Sequence, residues 1–366
     1  MSKLSQFDSY LNHDGPAAIV LKQPLMPVEG EDGVLFPATY ASGDGFAGGY
    51  NIDSAGGRNI ALIDSVGSQA NRIEPIFGDE DYKHLVPQLV VKAGEKHVSI
   101  LEAGHRAGDA IVRCSSLHSE LQAAFLSVLK GDATELAKLA PTSLVFGVWD
   151  SRDTQAKLPR VVSSTIKAFD VHSLTRSAVY APPVNYSEFD VFSEEDKQKA
   201  EGDSKNPLSK RGFVNALASK THGGVIAAGG IERTAILGLS AMRLLHAGND
   251  VAKTLALRRY ILGLSLVAFT HNPSGYLRQG CILVLNPDKP IEFVEVHPTG
   301  ERKPCGITHA IALEYATEAA KAFGVGESKT VPFDKEKAKA DVKGEGDTKT
   351  KSKKGKKAPA EGAGNA

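Results

Sequence analysis

Residues 64–72, Asp-Ser-Val-Gly-Ser-Gln-Ala-Asn-Arg, set an apolar stripe against a polar one at helical spacing. The apolar stripe recurs at steps of four, three and four, at Val66, Ala70, Ile73 and Phe77. The polar stripe also recurs every three or four residues, at Ser65, Ser68, Gln69 and Arg72. The segment therefore predicts a helix that follows the short strand at residues 59–63, with Asp64 as its N-cap.

The polar side of this helix is predicted to display a ladder of hydrogen-bond donors. Such a ladder suits a phosphodiester backbone, because an arginine can hold one phosphate through two N–H groups while short polar groups take the neighbouring oxygens. Contacts of this kind position a strand without reading its bases. A polar helix face that is only solvated is the alternative.

Three further motifs accompany the helix in a fixed order: residues 34–40 (VLFPATY), 160–170 (RVVSSTIKAFD) and 176–186 (RSAVYAPPVNY). Together they resemble the backbone subunit of type I-G (formerly I-U) CRISPR effector complexes, a divergent branch of the Cas-seven family of RAMP proteins. Other branches carry a Ser-Ser-Gln-x-x-Lys-Arg helix that touches guide RNA. This chain matches that helix at Ser68, Gln69 and Arg72, whereas Gly67 and Asn71 replace its first serine and its lysine.

The resemblance, which spans residues 15–325, implies both a fold and a function. The implied fold is α+β, an RRM-like (ferredoxin-like) antiparallel palm with helical insertions and an extended thumb. The implied function is a CRISPR RNA-binding subunit that polymerises along the guide and presents it for pairing with target DNA. Its implied partners are further copies of itself and the other Cascade subunits, namely a large subunit and a guide-end-capping and processing subunit.

The composition is that of a globular protein outside the membrane. The chain has 366 residues, of which 42% are hydrophobic, enough for one large or two modest domains. It shows neither a signal-like leader nor a hydrophobic run long enough to span a bilayer, so we expect a cytoplasmic protein with no membrane partner. Three cysteines without CxxC spacing predict buried thiols.

Charge is segregated along a chain whose net charge is zero. Residues 205–278 hold ten Lys or Arg against two acids, whereas residues 188–203 hold seven acids against two lysines. This segregation permits a positive groove on a neutral protein, and it would serve a head-to-tail polymer as well. Independent solvation of the two segments remains open.

Several basic residues outside the helix are candidates for RNA contact. Arg160, Lys167 and Arg176 lie on or beside predicted extended segments with few acids, and Arg211 and Arg233 belong to the basic stretch. Glycines at residues 223–230 precede Arg233, and they indicate either a close approach to phosphate or a strand bounded by turns. The predicted RNA-binding set is Ser65, Ser68, Gln69, Asn71, Arg72, Arg160, Lys167, Arg176, Arg211 and Arg233.

The sequence contains no recognisable set of catalytic residues. It therefore predicts a protein that is not an enzyme and needs neither cofactor nor metal. G-x-S-x-G, H-x-H and H-E-x-x-H spacings are all missing from the sequence. Two alternatives stay open. One is a metal-dependent ribonuclease that cuts bound target RNA with Asp64 and a loop carboxylate, and the other is an oligomeric scaffold without nucleic acid.

The chain divides into a body, residues 1–333, and a Lys-rich tail, residues 334–366, which is predicted to be disordered. Within the body, residues 23–59 form a long loop and residues 181–224 are the candidate thumb. The remaining pattern predicts helices at residues 107–130, 236–246, 250–269 and 307–323, and strands that include residues 85–92, 143–149, 160–169, 225–228, 280–285 and 291–296.

Overall fold

The computed structural model describes residues 3–272 and 275–343. Helices and antiparallel sheets are mixed along the chain, which confirms the α+β class. The helices are α1 (Asp8–Leu11), α2 (Val66–Ile73), α3 (Ala110–Arg113), α4 (His118–Leu129), α5 (Thr134–Leu139), α6 (Thr142–Phe146), α7 (Glu194–Ala200), α8 (Pro207–Lys210), α9 (Leu239–Met242), α10 (Val251–Thr270) and α11 (His309–Phe323). The strands are β1 (Ala18–Pro27), β2 (Thr39–Tyr40), β3 (Gly49–Tyr50), β4 (Ile52–Ala55), β5 (Arg58–Asp64), β6 (Leu89–Ala93), β7 (Lys96–Ser99), β8 (Val148–Trp149), β9 (Lys157–Leu158), β10 (Val162–Phe169), β11 (Val171–Tyr180), β12 (Ala216–Ala227), β13 (Ile231–Gly238), β14 (Tyr276–Arg278), β15 (Cys281–Leu285), β16 (Glu292–Val296), β17 (Arg302–Pro304) and β18 (Lys329–Pro332).

The main sheet is antiparallel and runs in the order β14-β15-β1-β13-β10-β5-β4. The first half of β1 also pairs with β16, which in turn pairs with β17. Burial alternates strictly along β10 and β13, so every second side chain enters the interior. One face of the sheet is therefore packed, and the other carries polar and partly exposed side chains.

The packed face is covered by helices at one end. Asp250 caps α10 by accepting a hydrogen bond from the Lys253 N–H at 3.0 Å. The second half of α10 is apolar on every side and buried, which makes it the central helix of the core. Helix α11 packs closely on it, because a Cβ added to Gly263 would lie 2.8 Å from the Ala316 Cα. A second, smaller apolar cluster lies under β14 and β15.

Strands β11 and β12 form a two-stranded sheet of their own, which continues the β10–β13 pair. The chain passes from β10 to β11 through Asp170, whose φ is +48°. Residues 181–215, which contain α7 and α8, lie between the two strands and pack around Phe213, whose ring contacts Tyr186 and Phe192. Residues 181–224, which were predicted as the thumb, fall within this longer unit, residues 171–227.

Several predicted elements are confirmed and others are wrong. The helices predicted at residues 250–269 and 307–323 correspond to α10 and α11. The strand predicted at residues 143–149 is mostly helix α6, and the helix predicted at residues 236–246 begins as the end of β13. The helix predicted at residues 107–130 is divided into α3 and α4, since the Ser115 hydroxyl caps the break by accepting from the Leu117 N–H at 3.2 Å. The predicted loop at residues 23–59 includes the end of β1 and the whole of β4.

The ordered chain extends past residue 333, where the disordered tail was predicted to begin. β18 pairs in parallel with β6, and residues 335–343 are helical. Asp341 accepts a hydrogen bond from Arg113 Nη2 at 2.8 Å, which holds this last turn against α3. The rest of the predicted tail, residues 344–366, lies outside the described residues.

Two expectations from composition can be compared with the described chain. Cys114, Cys281 and Cys305 are buried and free, as predicted. Among residues 3–272 and 275–343, no helix has the length and apolar character needed to cross a membrane.

Candidate nucleic-acid interface

The predicted helix forms, but its N-cap is Ser65 and not Asp64. The Ser65 hydroxyl accepts from the Ser68 N–H at 3.2 Å, and α2 begins at Val66. Asp64 is the last residue of β5, and the residue is 6% exposed. The expectation that Asp64 caps the helix was wrong because the extended backbone of Ser65 places that hydroxyl over the first turn.

Gln69 does not belong to an outward ladder, which corrects the main prediction about α2. Its side chain is 1% exposed, and its Nε2 donates to Asp64 Oδ2 at 2.6 Å. Its Oε1 accepts from the Ser164 hydroxyl at 2.8 Å, across the contact between α2 and β10. Gln69 lies inside because each of these polar atoms finds a buried partner, so its burial leaves no unpaired amide.

A buried polar network extends from Gln69 into the sheet. Ser164, on β10, accepts from Arg233 Nε on β13 at 3.0 Å. Arg233 Nη1 donates to Gln23 Oε1 on β1 at 2.7 Å. Arg233 is 3% exposed, and burial lowers the pKa of its guanidinium to about 10, so it remains protonated at neutral pH. Arg233 is therefore a buried residue of the network and not part of the outer surface, and its predicted contact with RNA stays a prediction.

Arg72 is the exposed end of the same network. Its Nε donates to Asp64 Oδ2 at 3.1 Å, and its side chain is 35% exposed. Within the described part of the chain, its two terminal nitrogens have no hydrogen-bond partner. This geometry leaves the bidentate edge of the guanidinium available to an oxyanion.

The other polar residues of α2 differ in how available they are. Asn71 is exposed, although its Oδ1 accepts from Arg106 Nη2 at 3.4 Å. Ser68 is half-buried, and the Ser65 hydroxyl is engaged as the N-cap. The surface that α2 can offer to a phosphate backbone is therefore Ser68, Asn71 and Arg72, with Arg72 as its charge.

The remaining predicted contacts do not gather around α2. Lys167 is exposed on β10, opposite Glu232, on the face of the sheet that Ser164 does not share. Arg160 is exposed just before β10. Arg176 on β11 and Arg211 after α8 are exposed on the unit at residues 171–227.

The basic stretch at residues 205–278 does not form one positive groove, because four of its arginines besides Arg233 serve the fold. Arg243 donates to the carbonyl oxygens of Tyr10 and Pro16, each at 3.0 Å. The others bind equally specific partners: Arg258 the Leu245 carbonyl at 2.8 Å, Arg259 the Asp8 carboxylate at 2.8 Å, and Arg278 the Pro37 carbonyl at 3.1 Å. Counting basic residues along the sequence thus overestimates the charge that a nucleic acid can meet.

Sequence reasoning missed Gln23 and Ser164, which complete the buried network, since both contacts join residues far apart in the chain and no local pattern marks them. A pocket of about 430 Å³ lies beside this network. No group of three His, Cys, Asp or Glu side chains close enough to hold a metal ion occurs in residues 3–272 and 275–343. The carboxylate that the ribonuclease alternative requires, Asp64, is already held by Gln69 and Arg72.

Comparison with known proteins bears on the motifs at residues 34–40, 64–72 and 160–170. Residues 19–173 match the family model described as "CRISPR-associated protein GSU0053 (Cas_GSU0053)", from β1 to the start of β11 with the whole of α2 included. Over residues 19–173, this match confirms the predicted resemblance to a CRISPR-associated family. No curated protein matches the chain in sequence. Among solved structures, the chain is similar to one titled "CRISPR RNA-guided surveillance complex, pre-nicking", with 12% identity, a TM-score of 0.35, and coverage of 83% of this chain and 86% of that chain.

Proposed function

We propose, on the premise that this chain is a CRISPR-associated protein of the Cas-seven type, that it is the guide-binding backbone subunit of a type I interference complex in the cytoplasm. Several copies would line a CRISPR RNA, and each would leave a short run of guide bases free to pair with target DNA. Recognition then belongs to base pairing, while the protein holds the backbone. We propose that the subunit does not cut nucleic acid and that it assembles with a large subunit and a guide-end-capping and processing subunit.

The observation that carries this proposal is the family match over residues 19–173, which contains the helix with the free guanidinium edge of Arg72. The match includes both β5 and β10, the two strands that fix α2 and its network. A guanidinium with one nitrogen held by the protein and two left open is suited to a phosphodiester, which needs charge and geometry but no base readout.

The strand order supports an RRM-like palm. β16, β1, β13 and β10 are neighbours in that order and pair antiparallel. Helix α2 lies between β1 and β10 in the chain, and α10 lies between β13 and β16. This is the β-α-β-β-α-β order of a ferredoxin-like fold. The unit at residues 171–227, inserted between its second and third strands, is the thumb that we propose to cross the guide.

The experiment that tests this function is the purification of the full chain with Arg72→Gln. The amount of copurified RNA, measured by absorbance at 260 nm and identified by sequencing, should fall for all spacer sequences alike. The salt dependence of guide binding should also weaken, since each lost phosphate contact reduces the logarithmic slope by about 0.7 on a single strand.

Arg302→Gln is the matched control, because it removes an exposed arginine that pairs with Glu292 on the opposite edge of the sheet. It should leave the RNA content and the salt slope unchanged. Wild-type protein that purifies without RNA and binds no CRISPR RNA would refute the proposed function. A normal RNA content in Arg72→Gln would remove α2 from the interface.

A further inference from the structure

The pocket beside the buried network has the size of a small-molecule site. Its volume is about 430 Å³, within the range of roughly 300–1,000 Å³ that ligand pockets occupy. Its polar lining residues are Gln23, Gln69, Arg72, Arg233 and Asn272. Its aliphatic lining residues include Leu25, Ile166, Leu277, Leu283 and Leu285.

Arg233 has an unmet bonding requirement at this pocket. Its Nε and Nη1 are occupied by Ser164 and Gln23, but Nη2 is buried and has no hydrogen-bond partner among the described residues. No carboxylate of residues 3–272 or 275–343 forms an ion pair with it. A buried guanidinium without a counter-charge is costly, and proteins normally pair such groups.

The charge balance of the pocket favours an anion. Its two guanidiniums are opposed by one buried carboxylate, Asp64, which is already hydrogen-bonded to Arg72 and Gln69. Arg72 and Arg233 both line the pocket, and Arg233 Nη2 and the terminal nitrogens of Arg72 have no hydrogen-bond partner among the described residues. An oxyanion with three or more acceptor oxygens can accept hydrogen bonds from both guanidiniums at once, and each of these hydrogen bonds is charge-assisted.

We propose that this pocket binds the terminal phosphoryl group of a nucleotide, either a free nucleoside monophosphate or the phosphorylated end of an RNA chain. The phosphoryl oxygens accept from Arg72 and Arg233, and the base lies against the leucine side chains. A monoester fits better than an internal phosphodiester, because Arg233 is buried and an internal phosphate would carry a sugar on both sides into the pocket. The site shares Arg72 with the guide contact proposed for α2 and adds the buried Arg233, which that contact does not use.

The test is a titration of RNA-free full-length protein, followed by calorimetry, with UMP, AMP, inorganic phosphate and uridine in separate arms. A short RNA with and without a terminal phosphate forms a further pair and distinguishes a chain end from a free nucleotide. We expect saturable binding of the monophosphates, tighter binding of the RNA with a terminal phosphate than of the same RNA without it, and no binding of uridine.

Two variants locate the binding. Arg233→Met keeps the bulk and removes the charge, and Arg72→Gln leaves Arg233 in place. Each should weaken phosphate binding roughly 10- to 100-fold, the equivalent of one charge-assisted hydrogen bond. Arg243→Met is the matched control, because it removes a partly buried guanidinium whose partners, Tyr10 and Pro16, are remote from the pocket residues. It should bind as the wild type does.

The proposal is overturned if no phosphorylated arm binds at millimolar concentration, or if Arg233→Met binds as tightly as the wild type. Saturation of the pocket by an acidic peptide but by no nucleotide would also overturn it and assign the pocket to a protein partner. The readout is separate from that of the proposed function. If the protein binds nucleotide but never carries CRISPR RNA, the pocket is supported and the guide-binding role is refuted. If the protein carries CRISPR RNA but binds no nucleotide in the pocket, the guide-binding role is supported and the pocket proposal is refuted.

Discussion

Gln69→Leu tests whether the polar face of α2 serves the fold or the RNA. The substitution keeps a side chain of similar size but removes the amide that joins Asp64 to Ser164. Asp64 would retain the Nε of Arg72 as a donor, and Ser164 would retain Arg233 Nε as a donor while its hydroxyl loses its acceptor. The variant therefore removes two buried hydrogen bonds without opening a large cavity.

The expected cost follows from the chemistry of these two bonds. A hydrogen bond to a charged group contributes about 1.5–3 kcal/mol, and a neutral one contributes about 0.5–1.5 kcal/mol. The buried leucine recovers part of this loss through its apolar surface. We expect the free energy of unfolding to fall by about 2–4 kcal/mol, a large change for a single substitution.

Urea unfolding followed by circular dichroism measures this loss, with the slope m as a check that the native state is unchanged. Gln122→Leu is the matched control, since Gln122 also donates from a helix to a carboxylate, Asp153, at 2.8 Å. Its side chain is half-buried, and Asp153 keeps His118 as a partner, so the cost should be about 1 kcal/mol. Full stability in Gln69→Leu together with a loss of guide RNA would refute the reasoning, because it would place Gln69 in the interface.

Three further outcomes are expected from the same structure. Burial raises the pKa of Glu74 to about 7 from 4.5, so its neutral form stabilises the fold below pH 4.5 and that contribution is lost as the pH rises through 7. The free energy of unfolding of the wild type and of Glu74→Gln should be measured at pH 4.5 and at about pH 8. Between these pH values the wild type should lose about 2–3 kcal/mol of this free energy relative to the variant. The same difference between the two proteins at both pH values would contradict the prediction. Gly263→Ala should destabilise the protein by about 1–3 kcal/mol in a urea titration, because its Cβ meets the Ala316 backbone at 2.8 Å, and a neutral effect would show that α10 and α11 separate freely. Truncation after residue 343 should leave the midpoint of thermal unfolding unchanged. Truncation after residue 333 should lower that midpoint, because the shorter chain lacks Asp341, the partner of Arg113. Identical midpoints for the two truncated chains would show that the helical residues 335–343 do not pack against α3.

The parts of the fold that the sequence predicts well are long helical segments with a clear N-cap. α10 and α11 have caps, Asp250 and Thr308, followed by 20 and 15 helical residues rich in apolar side chains. The predictions failed where short apolar runs suit either structure. Residues 143–146 became a helix because they pack in the core as part of α6, and residues 236–238 became strand because β13 is held between β1 and β10.

In the candidate site, too, local sequence spacing predicts some features, whereas others depend on contacts between distant residues. The existence of α2 and the exposure of Asn71 and Arg72 follow from local spacing. The burial of Gln69 does not, because its partner Ser164 lies 95 residues away and only the tertiary contact between α2 and β10 brings them together. A glutamine on a polar stripe is predicted to be exposed unless the folded chain provides a buried acceptor and a buried donor for its amide. The local sequence pattern indicates neither of these partners.

The buried network gives Arg72 an advantage that an isolated surface arginine lacks. A free arginine loses rotamer entropy of about 2 kcal/mol when it is fixed on a phosphate. Arg72 is already held at Nε by Asp64, whose carboxylate is in turn fixed by Gln69. Part of the ordering cost is therefore met on folding, and the free edge of the guanidinium is preorganised for an oxyanion. If Arg72 contacts the guide as proposed, we therefore expect guide affinity to depend also on Asp64 and Gln69, the buried residues that hold it in place.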